Sequence, residues 1–585
     1  MNAPRSCHTF YLVPAASAAG LTSMALGLAR ALQLLGVRVG YVKPIAQSGI
    51  RDEGFDRAAL FARTLGCPDT PDPLAFEHAD EMVREGKLAG LMEEVIGLVE
   101  PLRAVHDVLI VEGLIPTAEI QIATRLNIAM INSLRADIIP VLAGLGRPVE
   151  VLAGRVATAF EQYGDEGRRP IVGTILNHCT DEVAYALGSA GVMDIGQERP
   201  VPVIVAAPTL PNLSSPRVKD VAERLSLKVY QAGDIATQRV KSNVVAARSC
   251  EKLIGHLSAG ALVVTPADRS DAILTTALIA QRGMPIAGFV LTCDAEPAPE
   301  VMAILSKPPL DRLPILLSKD DTFVTASRLA NLSNHIASDD PDRMERVAAF
   351  LAERMNVGPL LQRIKAPSEG LMPPPVFRHR LVQSARMADK RIVLPEGDEP
   401  RTLLAAVICA KKKIARCVLL AAPGRVRAVA HGHGIELTPD LQIVDPDSIR
   451  RRYVAPMVAL RRHRGLTPLQ AEIGLEDTVT LGTMMLAQGD VDGLVSGAVH
   501  TTASTVRPAM QLIRTAPGAS IVSSVFFMLM PDQVLVYGDC AINPDPTSEQ
   551  LAEIAMQSAD SAAAFGIEPR VAMISYSTGS SGTGQ

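Results

Sequence analysis

Residues 491–508 read Val491-Asp-Gly-Leu-Val-Ser-Gly-Ala-Val-His-Thr-Thr-Ala-Ser-Thr-Val-Arg-Pro508. The stretch predicts a buried strand over 493–496 that ends in the small residues Ser496, Gly497 and Ala498. Small side chains let a ligand approach the backbone. His500, Thr501 and Thr502 follow, then Arg507. Hydroxyls and a guanidinium just past the carboxyl end of a parallel strand suit an anion. One such arginine alone would be read as half of a surface salt bridge. The order of features around it argues for more.

Outward from this stretch, apolar runs alternate with amphipathic ones along the whole chain. Strands are expected at 391–394, 416–420, 520–523 and 570–575, besides 493–496, with helical patterns between them. Towards the N-terminus the same alternation gives strands at 9–13, 37–44, 107–112, 138–143 and 171–176, with a helix at 21–35. A second block carries strands at 228–230, 261–265, 286–291 and 315–317. Strands alternating with helices imply βαβ units and parallel sheets. A helix rich in paired charges is expected at 341–355. It is followed by Ala366-Pro-Ser-Glu-Gly-Leu-Met-Pro-Pro-Pro375, whose prolines read as a linker. The expected fold is therefore α/β with three parallel-sheet domains. Their bounds are 1–210, 213–330, a helix and proline-rich linker over 331–375, and 376–585.

Composition agrees. The 585 residues are 48% hydrophobic and 20% charged, aromatics are only 3%, and Trp is absent. Aliphatic residues must build the cores, as α/β layers allow. A net charge of −5 over this length argues against a nucleic-acid partner. The eight cysteines are scattered without a CxxC pair and read as reduced core thiols of a cytoplasmic protein. The N-terminus lacks the pattern of a secretory signal, and no apolar run reaches the length of a membrane helix. His431 and His433 fall in a turn without further ligands at metal spacing, so no metal site is expected.

The first domain opens on a strand that runs into Pro14-Ala-Ala-Ser-Ala-Ala-Gly20-Leu-Thr-Ser23 and then a helix. That is the topology of a P-loop, whose backbone N–H groups converge on phosphate. A working loop reads GxxxxGK[ST]. Here Ala16 replaces the leading glycine and Leu21 the lysine, while Thr22 and Ser23 remain. With the stretches Gly36-Val-Arg-Val-Gly-Tyr-Val-Lys-Pro-Ile-Ala-Gln47 and Val111-Glu-Gly-Leu114, the domain resembles dethiobiotin-synthetase-like and cobyrinate-synthase-like ATPases, in degenerate form. With Leu21 in place of the lysine, the domain reads as a scaffold or regulatory domain, the alternatives being silent binding of a nucleotide or metabolite and active hydrolysis. In the second block, Thr265-Pro-Ala-Asp-Arg-Ser-Asp271 resembles the small domain named for a DRTGG motif. Only Asp268 and Arg269 match that name, either as ligand groups or as a turn with a local ion pair.

Four further segments join the opening stretch: Arg391-Ile-Val-Leu-Pro-Glu-Gly-Asp-Glu-Pro-Arg-Thr402, Ala459-Leu-Arg-Arg-His-Arg-Gly465, Val536-Tyr-Gly-Asp-Cys-Ala-Ile-Asn-Pro-Asp-Pro546 and Val571-Ala-Met-Ile-Ser-Tyr-Ser-Thr-Gly-Ser-Ser-Gly582. In this order they resemble the phosphate acetyltransferase and butyryltransferase family. With the two preceding domains, the whole chain resembles its long form.

The resemblance implies reversible transfer of an acetyl group between coenzyme A and inorganic phosphate. It implies a ternary complex without an acyl-enzyme, in a cleft between two α/β subdomains like those of isocitrate and isopropylmalate dehydrogenases. Coenzyme A is then a substrate, no cofactor is needed, and the enzyme self-associates as a homo-oligomer. The family's functional arginines fall on Arg461 and Arg507. Arg507 is assigned to the phosphate or acetyl-phosphate group, and Arg461 to the coenzyme A side or the phosphoryl group. Ser496, Gly497, His500 and Thr501 would line the cleft, and Ser577, Thr578 and Gly579 would form a loop for phosphate or pantetheine.

Two departures bear on this. Ser504 stands where the family usually has Asp, beside Arg507. The sequence also ends at Gly584-Gln585 inside a glycine-rich loop, whereas the family continues through a catalytic Asp and a Ser-Arg pair. The alternative expectation is therefore a non-catalytic binder of acetyl-CoA or acetyl phosphate, or a truncated inactive member. A nicotinamide dehydrogenase of the same fold is disfavoured, because no GxGxxG follows a strand.

Overall fold

The computed structural model describes residues 7–574 except 16–18, 48–50, 53–54, 117–121, 165–169, 197–199, 210–212, 214, 333–334 and 366–370. The chain divides into two compact units, Met1–Pro367 and Ser368–Gln585.

The first unit holds two sheets. Seven strands lie in the order Val39–Val42, Val108–Glu112, His8–Pro14, Asp137–Ala143, Thr174–Cys179, Pro200–Pro208 and Val192–Asp194. All pair in parallel except the last two, which are antiparallel. The expected parallel sheet is present. The strand Pro200–Pro208 was missed because its prolines argue against a strand. Buried Phe10, Leu12, Ile110, Ile139 and Val141 pack against Leu28 and Leu32 of the helix Leu21–Leu34.

The second sheet runs Lys228–Gln231, Ile315–Leu317, Gly288–Thr292, Ala261–Pro266 and Ser242–Val245. Only its first strand is antiparallel. Ser242–Val245 has a polar start and alternating exposure, which left no apolar run to read.

The chain then returns to the first sheet. Met344, Ala348 and Leu351 of the helix Pro341–Ala352, and Leu360 of Gly358–Lys365, enter the same core as Leu28 and Leu32. Of the charges expected along the first of these helices, Asp342, Glu345 and Arg346 share one face, while Arg343 is buried and donates to the Leu213 carbonyl at 2.9 Å. At the N-terminal end of that helix Arg239 donates to Asp340 at 2.7 and 2.8 Å, and Lys219 to Asp339 at 2.7 Å. These ion pairs tie the helix to residues that flank the second sheet. Gly27 makes the docking possible: a Cβ there would lie 2.8 Å from Leu351 Cβ.

The second unit begins with a correction. Pro373 caps the helix Pro374–Ala388, with Pro374 and Pro375 in its first turn. Proline is tolerated there because those N–H groups have no intrahelical partner, so this triple proline starts a helix instead of only breaking one. The parallel sheet runs Gln442–Val444, Arg416–Leu420, Arg391–Leu394 and Gly493–Leu494, with helices between consecutive strands.

A smaller part follows, built on the antiparallel pair Val525–Leu529 and Val534–Gly538 and the helix Ser548–Ala564. Phe377, Phe527 and Phe565 hold it, with ring centroids 4.6 to 6.1 Å apart. The strand expected at 520–523 is a loop. Its polar groups are taken by side chains: Glu553 accepts from Ser520 N at 2.8 Å, and Asn543 donates to the Val522 carbonyl at 2.8 Å. The strand expected at 570–575 is also absent. Residues 570–574 are exposed and pair with no strand among the described residues, so solvent and not a ladder meets their backbone groups, and Ser575 lies outside the described residues.

All eight cysteines are free. Cys67, Cys179 and Cys417 are buried as expected, whereas Cys293 is exposed. Among the described residues no helix is long and apolar enough to cross a membrane.

Filling the Gly27 contact should undock the returning helix. Gly27→Val is expected to raise hydrogen exchange and protease cleavage across 341–365, because overpacking a closed helix contact costs about 1–3 kcal/mol. Unchanged protection of that segment would contradict this packing.

Candidate active site

The parallel sheet of the second unit places its chemistry at the carboxyl ends of neighbouring strands. After Arg391–Leu394 the chain reaches Glu396, which is 5% exposed. Beside it Gly493–Leu494 runs parallel, and the ladder's last bond is from Val495 N to the Val393 carbonyl at 3.1 Å. From Gly497 the backbone turns four successive amides onto Glu396. Its carboxylate accepts from Gly497 N at 3.1 Å, Ala498 N at 3.0 Å, Val499 N at 2.9 Å and His500 N at 3.0 Å. It also meets His500 Nδ1 at 2.7 Å. Burial alone would raise this carboxyl. The N–H of Val499, the imidazole, and the N–H groups of His500 and Ala498 outweigh it and hold the group down at about 2.

This arrangement explains the local sequence. Gly497 has φ +125°, which a side chain rarely adopts. The strand expected through Ser496 stops at Leu494 because the amides from Gly497 onward leave the ladder for the carboxylate. Thr501 then caps the helix Thr502–Leu512, its hydroxyl accepting from Ser504 N at 3.2 Å. Ser504 Oγ lies 2.9 Å from Thr501 Oγ1, so this residue serves the helix cap and not Arg507. Ser496 Oγ accepts from Thr505 at 3.5 Å.

Arg507 is exposed on the helix Thr502–Leu512, and Arg461 is half-buried as the C-cap of Pro446–Leu460. Arg514, just past the first helix, and His463, just past the second, are 3.2 Å apart and join the two segments. Among the described residues the guanidinium of neither Arg461 nor Arg507 has a hydrogen-bond or ion-pair partner. Ser577, Thr578 and Gly579 lie outside the described residues.

Sequence reasoning missed two carboxylates. Glu396 is one; the motif Leu394-Pro-Glu-Gly397 was seen only as an acidic loop. The other is Asp539, which accepts from Ala541 N at 3.2 Å and from Asn543 N and Nδ2 at 2.6 Å each, and also from the Ser524 hydroxyl. Burial opposes its ionisation, but Ser524 and Asn543 more than compensate and hold it well below the usual carboxylate range. Its spacing to Asn543 was the available signal.

In the first unit a cavity of 580 Å³ opens at the degenerate P-loop, lined by Gly20, Leu21, Thr22, Lys43, Glu112 and Phe350 among others. The surviving hydroxyl is turned inward: Thr22 donates to Glu112 at 2.9 Å, and Tyr41 donates to the same carboxylate. Lys43, 1% exposed, lies 3.3 Å from Asp56 and 3.6 Å from Glu112. Ala16 lies outside the described residues. Near the second sheet, Arg269 pairs with Asp271 at 2.8 and 2.9 Å rather than with Asp268. His431 lies in the last turn of the helix Pro423–Gly432, not in a turn between elements, and His433 caps it. Among the described residues no three His, Cys, Asp or Glu gather as a metal site.

Comparison with known proteins fits this geometry. Three family profiles match in succession: an AAA domain over residues 8–217, a DRTGG domain over 220–332, and phosphate acetyl/butaryl transferase over 376–585. The chain is 47% identical to a phosphate acetyltransferase of Pseudomonas aeruginosa over 99% of its own length and 83% of the relative's. The figures for a phosphate acetyltransferase of Deinococcus radiodurans are 47%, 99% and 83%. The chain belongs to the phosphate acetyltransferase family. A solved phosphotransacetylase of Staphylococcus aureus is 37% identical, with a TM-score of 0.33, covering 35% of this chain and 63% of that one. Family membership makes the chain an acyltransferase. Its reaction is acetyl transfer between coenzyme A and phosphate.

Two outcomes follow from these geometries. Glu396 has its pKa lowered on folding, so it stabilises the fold above its unfolded value of about 4.3. That contribution, about 3 kcal/mol, should be lost as pH falls from about 4.5 to about 2. Hydrogen exchange of Val499 and His500 amides across that range, with Glu396→Gln as control, would measure it. The full chain should also release no phosphate from ATP or GTP above background, since Leu21 leaves the β/γ-phosphates without a lysine. Release that Thr22→Ala abolishes would contradict this.

Proposed function

We propose that Arg507 binds the phosphate or acetyl-phosphate group and Arg461 the coenzyme A side or the phosphoryl group. The observation that carries this reading is the pair of guanidiniums, on segments joined by Arg514 and His463, that have no partner among the described residues. The backbone amides of 497–500 are occupied by Glu396, so an anion must be met by side chains. Ser496, His500 and Thr501 line the approach. In this reading transfer is direct. The coenzyme A thiolate attacks the acetyl carbon of acetyl phosphate, the oxyanion collapses, the C–O bond breaks, and phosphate leaves with the electron pair. Orientation of two anions and donors aimed at the oxyanion supply most of the catalysis. Coenzyme A serves as substrate and no resident cofactor is required.

We also propose that the enzyme is cytoplasmic and self-associates. Eight unpaired thiols suit a reducing compartment. Exposed Phe526 and Tyr537 on the antiparallel pair, and exposed Met556 on the neighbouring helix, suit a second copy. Sedimentation of the full chain at micromolar concentration tests the association.

Arg507→Ala should lower phosphate-dependent acetyl transfer roughly 30- to 1000-fold, the loss of one charge-assisted contact of about 2–4 kcal/mol. Arg462→Ala, exposed beside Arg461, should be much milder. Equal and small effects in a thiol-release assay would refute the assignment of Arg507.

A further inference from the structure

Glu396 has no task in the acyl-transfer chemistry above, yet it is the most heavily hydrogen-bonded carboxylate of the second unit's parallel sheet. We propose that Glu396 is a positioning residue for the reaction: it fixes the path of residues 497–500 and holds the proton on His500 Nδ1, so that Nε2 is the ring nitrogen offered to substrate. This rests on the reading of His500 as a residue of the cleft.

The geometry leaves little freedom. An ionised carboxylate only accepts hydrogen bonds. Oε1 receives Val499 N at 2.9 Å, His500 N at 3.0 Å and His500 Nδ1 at 2.7 Å. Oε2 receives Gly497 N at 3.1 Å and Ala498 N at 3.0 Å. A bare Nδ1 lone pair at 2.7 Å from such an oxygen would be repelled, so Nδ1 carries the hydrogen.

The ring can then gain or lose a proton only at Nε2, on its other side, and doing so leaves the Glu396 contacts intact. Among the described residues, the ion-pair partner facing Nε2 is Asp477, with Oδ1 3.8 Å away. Asp477 caps the helix Thr478–Ala487 and accepts from Thr480 N at 3.0 Å and Thr480 Oγ1 at 2.6 Å. The His500 side chain keeps 28% exposure. Arg401 steadies the loop from outside, donating to the Ala498 carbonyl at 2.8 Å. A carboxylate that fixes an imidazole's tautomer and orientation is a recurrent way of making one ring nitrogen reactive.

The test has a part that needs no variant of Glu396. In the ¹⁵N-histidine-labelled full chain, with the His500 signals assigned by their loss in His500→Gln, the neutral ring should show hydrogen on Nδ1 and none on Nε2. The opposite tautomer would overturn the proposal. Kinetics form the second part. Glu396→Gln should lower kcat about tenfold or more and shift the pH profile of kcat, while heat unfolding shows a folded protein. Glu396→Gln with His500→Gln should be no slower than the slower single variant, because both remove the same device. A Glu396→Gln enzyme with unchanged kcat and pH profile, or a double variant with additive losses, would overturn it. His500→Gln with normal kinetics would instead remove the reading of His500 as a cleft residue, and the proposal with it.

Discussion

A carboxylate that is 5% exposed must be given hydrogen bonds or lose its charge, and the second unit's parallel sheet is arranged around meeting that demand for Glu396. Four successive amides and one imidazole converge on it. That convergence ends the short edge strand, requires glycine at 497, and sets the point at which Thr501 begins the next helix. The direction of that helix in turn places Arg507. A negative charge built into the protein thus occupies the concave set of amides that, left empty, would be a seat for phosphate. In the proposed reading the substrate's anionic groups are met by guanidiniums and hydroxyls.

The same solution recurs nearby. Asp539 gathers Ala541 and Asn543 amides with the Ser524 hydroxyl, and Glu553 gathers Ser520 and Ile521 amides. Both loops lack strand pairing, and in both a side-chain carboxylate supplies what a ladder would have supplied. Such loops keep fixed shapes without belonging to a sheet, which is what a site assembled from strand ends requires. The loops 516–524 and 539–547 are therefore ordered by polar contacts, while the strand and helices beside them are held by apolar burial such as the cluster of Phe377, Phe527 and Phe565.

Much of this was legible in the sequence. Strands at Arg391–Leu394, Arg416–Leu420 and Ile315–Leu317 coincide with their apolar runs, because a buried parallel strand is apolar on both faces and stands out. The strand Val525–Leu529 is displaced to 520–523 in the sequence reading, since apolar residues run from Ile521 to Met530 with only Ser523 and Ser524 between them, and side-chain partners decide where the strand begins. The triple proline was ambiguous because the same residues break a helix from within and start one from its end. Arg461 and Arg507 could be picked out by family resemblance. Glu396 could not be picked out by residue type, since its importance lies in partners a hundred positions away.

The two units dispose of their charges in opposite ways, and this separates their chemistry. At the degenerate P-loop the buried ammonium of Lys43 faces Asp56 and Glu112, and Thr22 and Tyr41 spend their hydroxyl hydrogens on Glu112. A phosphate entering there would meet a carboxylate already holding the groups it needs, and Leu21 brings no replacement cation. Around Glu396 the balance is reversed. The carboxylate is satisfied by amides and an imidazole, so it consumes no arginine, and the guanidiniums of Arg461 and Arg507 are left without an internal partner among the described residues. An internal anion neutralised by backbone dipoles leaves these cationic side chains open, as the proposed role in binding substrate requires. For a reaction that must bring two anions together, that division of labour places the chemistry in the second unit and leaves the first with the fold of a phosphate-binding domain but not its charge.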